Sequence, residues 1–161
     1  MKKITRLLSA TALSAMVLMS AHRPSAAEEE LTWIGWVGEG AASLAYGLAE
    51  SDYVLLSLAC EKPGGPVLVY FPHEPEGARD GARYQLILET GSRAATIETT
   101  GRRMEMDDLF ILEGELQSGE ELKALLGGTE SLKVSIGEDV TELPLAASGE
   151  AAREFLAVCA P

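Results

Sequence analysis

A chain of 161 residues with 25 acidic and 13 basic side chains, net charge −12, can bury one core but repels nucleic acid and anionic lipid. Both of those partners need Lys and Arg to neutralise phosphate. The acids are spread along the chain, as on a folded, solvated surface, and not gathered into a tail.

Lys2, Lys3 and Arg6 precede an uncharged apolar run over residues 7–20. That run has the length of a signal-peptide core and is too short to cross a hydrocarbon layer of about 30 Å. His22, Arg23 and Pro24 follow, and then Ser25-Ala26-Ala27 places small residues where a signal peptidase cuts. Residues 1–27 are therefore expected to be a cleaved signal peptide, and residues 28–161 a single β-rich domain, periplasmic or secreted. Its nine basic against 25 acidic residues give −16. No cysteine precedes Cys60 to carry a lipid, so no stable membrane insertion is expected after cleavage.

Short apolar runs then recur between Gly, Pro and charged clusters, the rhythm of an antiparallel β-sandwich or barrel. Residues 31–37 and 43–48 read as edge strands, with turn glycines at Gly38 and Gly40 between them. Residues 53–60 form the clearest strand, with Val54, Leu56, Leu58 and Cys60 on one face and Tyr53, Leu55, Ser57 and Ala59 on the other. The Lys62-Pro63-Gly64-Gly65 turn leads to a strand over 66–71. After a loop over 72–81, residues 83–90 alternate, with Tyr84, Leu86 and Leu88 on one face. Gly91-Ser92 predicts a type II′ hairpin into a strand over 93–100. Further strands are expected over 109–116, 131–136 and 140–145.

Two short helices interrupt the pattern, the last one C-terminal. Ser118 and Glu121 make a capping box, Gly127 the stop, and Leu122, Leu125 and Leu126 an apolar stripe. Ser148 is the expected cap of a helix reaching Cys159, with Ala152, Phe155, Leu156 and Cys159 on one face. Period-2 counting thus turns Cys60 inward, and helical counting turns Cys159 inward. Two cysteines in an oxidising compartment predict one disulfide, Cys60–Cys159.

Catalytic equipment is sparse. The exported part has one histidine, His73, in Phe71-Pro72-His73-Glu74-Pro75, and no Gly-x-Ser-x-Gly elbow accompanies it. It reads as a solvated loop residue. The carboxylate groups Glu105, Asp107 and Asp108, then Glu113 and Glu115, then Glu138 and Asp139 read as chance neighbours on an acidic surface. No catalytic residue, metal site or cofactor is expected. Residues 37–43 lack the Lys-Ser/Thr ending of a phosphate-binding loop. Trp33 and Trp36, three apart on a strand, fall on opposite faces, so one can pack inside while the other contacts a partner.

Residues 46–60 and 155–159 resemble segments of a family of small exported bacterial β-rich domains, which implies a secreted domain with one disulfide and carries no activity. Gly81-Ala82-Arg83-Tyr84 is similar to a segment of the periplasmic membrane-bound lysozyme inhibitors, small β-barrels that insert a loop into the lysozyme cleft. Members commonly place Ser before that Gly, where this chain has Asp80, and their following Lys-Gly motif has no counterpart here. The expectation is an exported, non-enzymatic binding or interaction module whose partner is an unknown protein or small molecule. The alternative is an inhibitor of a basic hydrolase such as lysozyme, which an acidic surface would suit.

Overall fold

The computed structural model describes residues 30–106, 108–117, 119–128 and 130–161. The expected signal peptide lies outside the described residues. Nine strands follow in the order β1 (Leu31–Gly38), β2 (Ala41–Leu48), β3 (Val54–Cys60), β4 (Val67–Pro72), β5 (Arg83–Thr90), β6 (Arg93–Arg103), β7 (Phe110–Leu116), β8 (Ser131–Ile136) and β9 (Asp139–Pro144). Helix α1 (Glu120–Leu126) sits between β7 and β8, and α2 (Gly149–Cys159) ends the chain.

All nine strands belong to one antiparallel sheet in the order β1-β2-β3-β4-β7-β6-β5-β8-β9, curled into a half-barrel. Among the described residues there is no second sheet to form a sandwich, so the barrel-like half of the expectation holds. Tight hairpins set the registers. Glu39-Gly40 joins β1 to β2 with both residues at positive φ, 51° and 83°, which matches the twist of the flanking strands. Gly91, at φ 54°, takes the first place of the β5–β6 hairpin, as expected for type II′. The expectation that residues 43–48 form an edge is wrong: β2 is paired on both sides, by β1 and β3. Its inward Ala42, Leu44 and Tyr46 are buried, and only β1 lies at the border.

Alternation within each strand supplies the core. Leu44, Leu56, Leu58, Val67, Val69, Leu86, Leu112, Leu132 and Phe155 are completely buried. Each such side chain contributes about 1.5–3 kcal/mol through removal from water. One irregularity departs from simple period-2 counting. The β2–β3 register shifts at Tyr46/Gly47, so Leu55 is the extra residue of a bulge and packs part-buried against the core. Gly101 on β6 permits another close approach: a Cβ there would lie 2.4 Å from the Phe110 ring.

The helices plug the concave side. α2 packs on β1 and β2, and α1 on β5 and β6. α1 starts at Glu120 with Gly119 as its N-cap, one residue later than the expected capping box; Ser118 lies outside the described residues. Its inward stripe is Leu122, Leu125 and Leu126, as the spacing predicts. Ser148 does occupy the N-cap of α2, but its hydroxyl donates to the carbonyl of Leu145 (2.7 Å) instead of accepting from the helix. The Cys60–Cys159 disulfide joins the end of β3 to the end of α2 across 99 residues, with the Cα atoms 5.7 Å apart.

Candidate functional site

The first hairpin separates the two tryptophans. Trp33 points inward and is buried; its ring meets Tyr46 at 5.2 Å, tilted by 52°, and its Nε1 donates to the carbonyl of Pro144 (2.7 Å). Trp36 points outward and is 57% exposed. Its indole lies back along β1 over Gly38, where an added Cβ would sit 2.7 Å from the ring. The absence of a side chain at residue 38 lets the indole lie against the strand. The structure therefore does not bring the two rings together.

Trp36 borders a shallow trough of about 470 Å³ on the convex face. Ile34, Ser43, Ala45 and Val54 line it, together with Glu50 and Asp52 from the turn between β2 and β3. Small side chains on β2 leave the space. Exposed Ile34, on the same face as Trp36, is part of this apolar surface. On the inner side, burial and the Glu30 carboxylate both push the Tyr46 phenol above its ordinary range.

A second cluster holds the loop after β4 across the opposite end of the sheet. His73 is not a freely solvated residue. Its Nε2 lies 3.1 Å from Asp139 Oδ2 at the start of β9, its ring stacks on Phe71 at 5.4 Å, and its backbone N–H donates to Phe110. Arg103 gathers the rest. Its guanidinium lies over the Phe110 ring at 5.3 Å, pairs with Glu74, and donates to both the side chain (3.1 Å) and the carbonyl (3.0 Å) of Asp108. Those two carboxylates hold its pKa above the ordinary value, the Glu74 bond most of all. The Arg103 amide donates to Asp80 Oδ1 (2.7 Å), so Asp80 is engaged in holding the loop. Beyond the loop, Pro75, Glu76, Arg83, Gln85, Glu138 and Asp139 border an open groove of about 730 Å³.

The chemistry of this second cluster is limited. His73 has a carboxylate partner, but among the described residues no serine or cysteine bonds to its ring, and both cysteines form the disulfide. No group of three metal-ligating side chains occurs among the described residues. Of the carboxylates noted in the sequence, Glu113 pairs with Arg102 (3.3 Å), Asp108 with Arg103 and Asp139 with His73; Asp107 lies outside the described residues. Among the described residues, no helix is long and apolar enough to cross a membrane.

Comparison with family models, with curated proteins and with solved structures finds no match. The His73–Asp139 and Arg103 contacts were missed in the sequence because their partners lie up to 66 residues away, on strands whose pairing no local pattern reveals. The Trp33/Trp36 division was visible, since alternation alone turns residues three apart to opposite faces.

Proposed function

We propose that this chain is an exported, non-enzymatic binding module that meets a partner through the convex face of its first hairpin. The observation that carries the reading is Trp36. A large aromatic left 57% exposed beside an apolar trough loses free energy to water unless something covers it. Aromatic anchors of this kind dominate the energetics of protein contacts. Export is supported by the basic and apolar leader of residues 1–27 and by the Cys60–Cys159 bond, which persists in oxidising compartments.

The test is photo-crosslinking in the exporting cell, with a benzophenone amino acid at position 36 and a control at position 133 on the far side of the sheet. A discrete adduct from 36 and none from 133 is the expected result. Absence of any adduct from 36 overturns the reading, and so does an enzymatic activity abolished by His73→Ala in a folded variant.

A second reading, inhibition of a basic hydrolase, is favoured by the groove that Glu76, Glu138 and Asp139 border. Asp80 is bonded to the Arg103 amide, so any insertion of the neighbouring loop into a cleft would first have to break that bond. Residual lysozyme activity at low salt, with and without a charge-reversed Glu138, separates this reading from the first.

A further inference from the structure

The two borders of the sheet are built differently. β9 carries Asp139 and Glu142, ends in Pro144, and has the Pro144 carbonyl occupied by the Trp33 indole. Charge and proline on a border strand are the usual defences against pairing with another chain. β1 has none of them: Leu31–Gly38 contains no charged residue and no proline, and among the described residues its only strand partner is β2. From Ile34 through Val37 every residue is exposed, although successive residues point to opposite faces. The outer face and the outer border of this stretch are open to solvent, while on the inner face α2 packs against β1, with Ala151 against Gly35.

Charge at the ends of this border selects the occupant. Glu30 precedes β1 and Glu39 follows it, while Glu50 and Asp52 line the adjoining trough. A second copy pairing antiparallel about Ile34 and Gly35 would set Glu30 opposite Glu39 at both ends. A shift of two residues would leave them as diagonal neighbours about 7–8 Å apart, still repelling, and the net negative charge of each copy opposes the pairing in any register. Like charges in those positions oppose a homodimer, and opposite charges favour a foreign strand.

Resting on the binding-module reading above, we infer that β1 accepts an extended peptide segment as a tenth strand. The segment is apolar and β-forming in its middle, covering Ile34 and Trp36, and basic at its ends, facing Glu30, Glu39, Glu50 and Asp52. Main-chain hydrogen bonds to the border of β1 hold it, and the Trp36 trough reads its side chains.

The experiment uses the exported chain with its disulfide intact and short blocked peptides of alternating Val and Thr. One peptide has Lys at both ends, one has Glu, and one has Lys ends with alternate backbone nitrogens methylated. Binding is followed by titration calorimetry in every protein, and also through the fluorescence of Trp36 where it is present. The Lys-ended peptide should bind with a blue shift, the Glu-ended one about tenfold or more weaker, and the methylated one not at all. Trp36→Lys and Ile34→Lys should each abolish binding with the melting temperature kept. Two variants are used so that one failing to fold does not end the test. Equal binding of the methylated peptide overturns strand addition. Equal binding of the Glu-ended peptide overturns the charge selection, and a dimer in sedimentation that Trp36→Lys dissolves identifies a second copy as the occupant. If no peptide binds while position 36 still crosslinks in the cell, the strand-addition inference fails and the binding-module reading stands.

Discussion

The indole Nε1 of Trp33 lies 2.7 Å from the carbonyl oxygen of Pro144, and this bond links the first and last strands of an open sheet across 111 residues. It is a side chain of one border strand bonding the backbone of the other, where backbone pairing would have closed a barrel. Trp33→Phe keeps an aromatic ring near Tyr46 but removes the donor together with part of the buried indole. Denaturant unfolding of that variant should show a loss of at least about 1–2 kcal/mol, the magnitude of a part-buried hydrogen bond whose acceptor is left unmade. No change in stability would mean that the contact contributes nothing to holding β1 and β9 together.

The disulfide acts on a larger scale. Cys60 and Cys159 enclose 99 residues of separation, and for a loop of roughly 100 residues chain-entropy arithmetic gives about 4–5 kcal/mol. An isolated helix as short as α2 does not persist in water, so its position depends on Phe155, Ala152 and this bond. Cys159→Ser should lower the melting temperature markedly, and hydrogen exchange should speed up first in residues 149–159. Two alkylated thiols in the native protein would refute the bond itself.

Tyr46 sets an alkaline limit. Burial, and secondarily Glu30, raise its folded-state pKa, so the unfolded chain ionises first once pH passes about 10. The stabilisation is fully present below that value and is lost as pH rises through the folded pKa. Urea midpoints measured from pH 9 to 11 should therefore fall, and fall less steeply in Tyr46→Phe. Identical slopes in the two proteins would contradict this.

Arg103 is half-buried, and its contribution is local. It ties the loop after β4 to the segment after β6 through Glu74, Asp108 and the Phe110 ring. Arg103→Met should leave the global unfolding midpoint nearly unchanged. It should raise amide exchange at His73, Arg79 and Gly81, whose N–H groups bond within this corner. Unaltered exchange at all three would show that the backbone bonds hold the loop unaided.

Substitution at Gly101 tests packing directly. Its missing Cβ makes room for the Phe110 and Tyr84 rings, which meet edge to face at 6.2 Å. Gly101→Ala should destabilise by about 1–3 kcal/mol, the range for forcing one extra carbon into a filled site. A variant as stable as the parent would mean that the rings can move aside.

Side-chain alternation is a property of single strands, so the sequence by itself determined most strand positions, the inward turn of Leu56, Leu58, Cys60, Leu86 and Leu88, and the separation of Trp33 from Trp36. Helical spacing likewise turned Cys159 inward, and parity then paired it with Cys60. Tertiary structure alone decided that β4 pairs with β7 and β5 with β8, that the sheet curls without closing, and that β2 is an interior strand. It also decided the company of His73, 66 residues from Asp139 along the chain. Periodicity reports which way a side chain faces, and says nothing of which distant strand lies beside it. Register across a sheet depends on the fit of two strands at once, and the openness of β1 depends on where every other element has gone.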